Sequence, residues 1–342
     1  MQVSSKFLFG SCFIALLHLP AAIAAPTTTP ASDTDEARMT PYEIQAHADW
    51  RETMAHQRTP TKGCFHANYP DTTWHAQACT TLPPLVHPTH RNARNTRLSA
   101  IQSVGNGNDY VLSSDSLISQ TVGSFPRVSG VTSESGGGTG GANQYSLQIN
   151  SNYDATTNAC ADRSDCTVWQ QFIYADNGPE AQGGVFMQYW LQNYGSDCPT
   201  DWISDGNTSC YRSSDGISAP NVPATQLASV KLTASAVADG TDTVTLTYGG
   251  TAYSVSASDN VLDIATVWTD SEFNVFGNGG ASQANFNRGS SITVKVAALN
   301  GDTAAPTCTS GQGTTGETNN LYLGNCHALG GQMPSITFTE AN

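Results

Sequence analysis

The chain has 342 residues and a formal net charge of −14, with only 12% charged residues. From Leu98 onward 21 acids face 6 bases, a difference of −15, whereas 7 acids face 8 bases before it. An acidic surface of this kind argues against nucleic acid and anionic membrane as partners. It suits a basic segment or substrate, or work in an acidic medium.

In chain order, the first feature is a secretory signal. Lys6 precedes an apolar run from Phe7 to Leu19, and Ala22-Ile23-Ala24 offers a small-residue cleavage site after Ala24. The run is too short to span a bilayer. Residues 1–24 are therefore read as a signal peptide, and the mature protein as exported, extracellular and monomeric. Of the nine Cys, Cys12 leaves with the signal, and eight remain for an oxidising compartment. Their spacing suggests the local pairs Cys64–Cys79, Cys160–Cys166, Cys198–Cys210 and Cys308–Cys326. No CxxC pair supports a zinc reading.

Residues 25–97 read as a prosegment. Residues 25–35 are rich in Pro, Thr, Ser and Asp, a composition that disfavours a packed structure. Thr40-Pro41-Tyr42-Glu43 is an N-cap, a first-turn proline and a capping-box glutamate. Ile44, His47, Trp50 and Met54 follow at helical spacing, so a helix is expected over 41–57, ended by Thr59-Pro60. The stretch "GCFHANYPDTTWHAQACTTLPP" predicts a disulfide-closed hairpin. The basic residues of "HPTHRNARNTR" (87–97) form either a plain linker or a processing site that frees the prosegment.

From residue 98 to 342 the text is rich in Gly, Ser, Thr and Asn, with short alternating runs and almost no helical periodicity. Ten candidate strands separated by turn signals predict an all-β domain, an antiparallel β-sandwich. Gly136–Gly141 is a glycine loop with no GK[ST] and no following helix, so it is not a phosphate cradle. Asn207-Thr208-Ser209 is a glycosylation sequon, relevant in a eukaryotic host. The acids of 201–215 lack EF-hand spacing and read as solvated loop residues.

Elimination narrows the chemistry. Only His327 of the eight His lies beyond residue 98, no HExxH appears, and every mature Cys is expected to be oxidised. No metal and no cofactor are expected. Carboxylates and amides remain. Among the five Glu after residue 98, Glu272 alone sits inside a strongly patterned strand, "SEFNVFG". Alternation puts Glu272, Asn274 and Phe276 on one face and Phe273 and Val275 on the other. In the same way Phe186, Gln188, Trp190 and Gln192 oppose Val185, Met187, Tyr189 and Leu191, and Ser146, Gln148 and Asn150 oppose Tyr145, Leu147 and Ile149. In "VWQQFIY", Gln170 goes with Val168, Phe172 and Tyr174, and Gln171 with Trp169 and Ile173. Alternation does not say which glutamine faces outward. Any single amide is accounted for by a solvated sheet face, but the recurrence of amides and aromatics on neighbouring strands suggests a shared groove.

Four segments in order, "VGSFPRVSG" (122–130), "CTVWQQFIY" (166–174), "MQYWLQNY" (187–194) and "SEFNVFG" (271–277), give the chain a pattern that resembles the fungal glutamic peptidases, the eqolisin group. The likeness covers about residues 110–300. The neprosin-type prolyl peptidases are a more distant likeness of the same plan. The resemblance implies a concanavalin-like β-sandwich and a catalytic Glu/Gln pair. Carried over, the Glu falls on Glu272 and the Gln on Gln170 or Gln171. It implies a secreted, acid-active endopeptidase acting on polypeptide, with the prosegment docked until release. Gln148, Phe186, Gln188, Trp190, Gln192, Asn274 and Phe276 would line the groove. The chain departs from the family pattern in three places: "YSLQINSN" stands for a Trp-x-Gly-Ile-Asp-Gly strand, the aromatic strand lacks a Glu and a Pro-Asp, and the Cys198–Cys210 loop is extra. The alternative is a non-catalytic module that binds glycans or surfaces, with Trp190, Phe186 and Phe276 stacking on sugar rings.

Overall fold

A computed structural model of the chain describes residue 1 and residues 38–81, 109–136, 141–179, 181–280, 282–310 and 315–342. The signal peptide and the basic linker 87–97 lie outside the described residues. One α-helix is described, α1 (Pro41–His56), and it begins as its sequence dictates. Glu43 N–H donates to Thr40 Oγ1 at 3.3 Å, and Thr40 N–H donates back to Glu43 Oε2 at 2.7 Å. His47, Trp50 and Met54 are buried, whereas Ile44 of the same stripe is exposed.

The described strands run β1 (Gly63–Asn68), β2 (His75–Gln77), β3 (Tyr110–Ser113), β4 (Gln120–Ser129), β5 (Glu134–Gly136), β6 (Tyr145–Ser151) and β7 (Thr167–Ala175). Then come β8 (Gly183–Gln192), β9 (Ile203–Ser204), β10 (Cys210–Ser213), β11 (Ile217–Ala219), β12 (Val230–Ser235), β13 (Thr241–Tyr248) and β14 (Thr251–Ser258). The last are β15 (Asp270–Gly277), β16 (Gln283–Phe286), β17 (Ser291–Leu299), β18 (Thr307–Ser310), β19 (Thr318–Asn319), β20 (Tyr322–Leu329) and β21 (Ser335–Ala341). One large sheet has the order β2-β1-β14-β13-β12-β4-β17-β21-β20. The other has the order β18-β3-β15-β6-β7-β8-β10-β9, with β11 also on β8. Every pairing in both is antiparallel. The fold is the all-β sandwich expected of the Gly/Ser/Thr-rich text.

Alternation explains the core. Leu147, Ile149, Phe172, Val185, Met187, Phe273 and Val275 of the second sheet meet Leu232, Val244, Leu246, Val255, Val294, Val296 and Phe338 of the first, all buried in one cluster. Gly123 on β4 lies directly against Phe273 of the other sheet. A Cβ there would sit 2.2 Å from the Phe273 ring, so glycine is required.

Four disulfides join the four local pairs that the spacing suggested. The described part of the expected prosegment is built into the first sheet. β1 pairs with β14 over six residues, and Thr80 and Gly216 exchange both backbone hydrogen bonds. α1 packs on the outer face of that sheet, where Trp50, Met54, Phe65, Ala67, Trp74 and Ala252 form a second cluster. Beside it Lys231 pairs with Glu52 at 2.6 Å.

Candidate functional site

The site is a set of lateral rows on the outer face of the second sheet. A residue's cross-strand neighbours lie about 5 Å away on the same face, so register alone builds a row. Glu272 pairs with Asn150, Asn150 with Gln171, Gln171 with Gln188, and Gln188 with Ser213. The next row is Asn274, Gln148, Ile173 and Phe186. On the other side lies the aromatic row Trp169, Trp190 and Tyr211. Trp190 is 6.1 Å from Trp169 and 5.1 Å from Tyr211, centroid to centroid.

Hydrogen bonds tie the rows together. Asn150 Nδ2 donates to Glu272 Oε2 at 2.9 Å and reaches Gln148 Oε1 at 3.4 Å. Gln171 Nε2 donates to Gln148 Oε1 at 2.8 Å. Trp190 Nε1 is shared between Gln171 Oε1 and Gln188 Oε1, each at 3.0 Å. Gln148 Nε2 donates to Ser146 Oγ at 2.9 Å, and Ser146 Oγ to Gly277 O. Glu272, Asn150, Gln148, Gln171, Gln188 and Trp190 are all fully buried. Two polar atoms in this network, Asn150 Oδ1 and Trp169 Nε1, are buried with no hydrogen-bond partner. Orphans of this kind are uncommon in a folded protein, and they concentrate where a ligand or water is to be bound.

Not every expected residue joins the network. Gln170 lies on the opposite face of β7, inside the sandwich, where its Nε2 donates to Asp242 Oδ2 at 2.8 Å. Period-two alternation forces the two adjacent glutamines apart, so only Gln171 shares a face with Glu272. Asn274 stands in register beside Gln148, but its Nδ2 turns to Glu340 Oε2 at 3.2 Å and its Oδ1 accepts Val275 N–H. Phe276 and Phe186 are buried, Phe186 beside Ile173 and Ala175. Gln192, at the sheet end, accepts from Ser209 Oγ at 2.9 Å. Two contributors were not singled out from the sequence. Asn150 stands between Glu272 and Gln171, and Trp169 presents its unpartnered N–H. Alternation already put Asn150 on this face, and Trp169 on whichever face Gln171 takes.

Several carboxyls around the sandwich are pushed up by burial. Glu340 is raised to about 8, Glu134 to about 7 and Asp176 to about 6, in each case mainly by loss of hydration. Glu340 is partly compensated by the Asn274 and Asn319 amides that donate to it. Among the described residues no group of three or more His, Cys, Asp or Glu could hold a metal ion.

No family model matches the chain, and no curated protein matches it. Among solved structures it is similar to scytalido-glutamic peptidase with a transition state analog inhibitor, at 14% identity and a TM-score of 0.27, over 70% of this chain and 100% of that one. A score that low carries no argument about chemistry.

Proposed function

We propose that the protein is a secreted, acid-active endopeptidase-like hydrolase in which Glu272 activates water and Gln171 stabilises the oxyanion. The observation that supports this reading is the hydrogen-bonded row in which Asn150 alone separates the carboxyl from the glutamine. Ionised Glu272 takes a proton from a water whose oxygen bonds to the scissile carbonyl carbon. The carbonyl oxygen becomes an oxyanion, and the Gln171 amide donates to it, a contribution of about 3–4 kcal/mol in comparable sites. The C–N bond then breaks as Glu272 returns the proton to the leaving amine. Asn150 holds Glu272 in place. Gln148 and Trp190 hold Gln171, one through its Nε2 and the other through its Oε1.

A carboxyl base suits an acidic medium better than an imidazole does, in keeping with a domain rich in acids. Export is supported by the four disulfides. No described helix is long and apolar enough to cross a membrane. The substrate is polypeptide, and residues 25–97 are the chain's own prosegment. The row is buried, although the described prosegment residues pack on the other sheet, away from it. A sugar platform needs an open ring face, and Trp190 is held on both sides by described residues.

The test is casein hydrolysis at pH 4 by the processed protein. Glu272→Gln is expected to abolish turnover, and Gln171→Ala to lower kcat by about 10²–10³-fold. Gln170→Ala, on the far face, is expected to act on stability. Full activity in Glu272→Gln overturns the proposal.

A further inference from the structure

A second polar cluster lies under the first, on the other side of β7. Gln170 and Tyr189 are direct cross-strand neighbours on β7 and β8, and both side chains point between the sheets. Facing them from the first sheet is Asp242, fully buried on the same face of β13 as Val244 and Leu246. Asp259 comes from the short 3-10 turn Asp259–Val261 that follows β14, and it too is buried. Asp242 pairs in register with Ala257, two residues before Asp259, and Asp259 N–H donates to Gly240 O at 3.2 Å, so the two acids sit together at one end of the β13–β14 pair.

The donors available to this pair are few. Gln170 Nε2 donates to Asp242 Oδ2 at 2.8 Å, and Ala265 N–H donates to Asp259 Oδ1 at 3.1 Å. Asp242 Oδ1, Asp259 Oδ2, Gln170 Oε1 and Tyr189 Oη have no hydrogen-bond partner. The charged and titratable groups that act on the cluster are Asp263, which adds negative charge, and Tyr189, which itself feels Asp242, Asp259 and Arg212. No described Lys, Arg or His forms an ion pair with Asp242 or Asp259. Two adjacent carboxylates out of water, with no cation between them, are strongly unfavourable, and one proton removes the conflict.

We infer that Asp242 and Asp259 share one proton, and that this pair is a pH-sensitive lock holding the turn after β14 against β13, beneath Gln170, only while the proton is present. Burial holds both carboxyls above their ordinary range, and their proximity adds to this for Asp242. A carboxyl raised in the folded state contributes stability that is complete below its unfolded value and is lost as pH rises through the folded value. Loss of the proton leaves two like charges between the sheets. They repel between β13 and the turn that follows β14, and that turn is the element that moves.

The experiment is urea unfolding followed by Trp fluorescence from pH 4 to pH 9 on the full chain, together with hydrogen exchange of the amides of residues 259–266. Asp242→Asn replaces the shared proton with an amide donor that does not titrate. The pH at which stability and protection of that turn fall by half is expected to move up by about one unit or more, with no change at pH 4. Asp259→Asn is expected to do the same. An unchanged midpoint in both variants overturns the inference, as does equal destabilisation at pH 4 and pH 8, or failure of both to fold at pH 4. Stabilisation of the parent at pH 8 by calcium that vanishes in Asp242→Asn also overturns it, in favour of a bound cation. None of these readouts involves peptide hydrolysis, so the lock and the proposed activity stand or fall separately.

Discussion

Glu340 lies on the inward face of β21, fully buried, with the Asn274 and Asn319 amides donating to it at 3.2–3.4 Å. Burial pushes its carboxyl from 4.5 to about 8. The folded protein therefore carries this group protonated at neutral pH, while the unfolded chain does not. Each unit of difference is about 1.4 kcal/mol, so at pH 7 the protein forgoes roughly 3 kcal/mol of the stability it has at pH 4 through this one side chain. Glu340→Gln keeps the shape and the acceptor oxygen for the two asparagines and cannot ionise. Urea unfolding at pH 4 is expected to give parent and variant stabilities within about 1 kcal/mol of each other, where both side chains are neutral. At pH 7 the variant is expected to be more stable by up to about 3 kcal/mol. If the substitution has the same effect at both pH values, the carboxyl titrates alike in the folded and unfolded chain, and if it costs more at pH 7 than at pH 4 the two amides stabilise its charge; either result refutes the reasoning.

Two further outcomes follow from packing and hydrogen bonding. Gly123→Ala places a methyl 2.2 Å from the Phe273 ring, and overpacking of that kind costs about 1–3 kcal/mol or more, measurable as a lower urea midpoint. Phe273 precedes Asn274 and follows Glu272, so the variant is also expected to lower hydrolytic kcat. Trp190→Phe keeps an aromatic ring but deletes the N–H shared by Gln171 and Gln188. Two buried acceptors lose a donor, and stability is expected to fall by about 1–3 kcal/mol; a loss well under this range means that the bifurcated bond contributes little.

Much of this fold is legible in short-range pattern. The capping box at Thr40, the alternation in "SLQIN" and "SEFNV", and the four close Cys pairs each depend on neighbours a few residues away, and each appears in the structure as read. The failure at Gln170 and Gln171 has a physical cause. Both faces of β7 carry large apolar side chains, because one packs against the other sheet and the other carries Trp169 and Ile173. Hydrophobicity therefore gives no vote. The deciding partner of Gln170 is Asp242, 72 residues away. Asn274 shows the same limit, since its register puts it beside Gln148 while a glutamate from the far sheet draws its amide away. The union of β1 with β14 was equally hidden, because strand pairing over some 190 residues leaves no local signature.

That union has a consequence for processing. Every disulfide closes a loop within its own stretch of chain, so no disulfide ties residues 38–81 to the strands beyond. A single nick between Cys79 and Asp109 would yield two polypeptides that migrate together through a sizing column and separate in denaturant without any reductant. Were the smaller piece lost, the backbone of β14 would stand bare at the sheet margin, open to recruitment by a strand from another molecule.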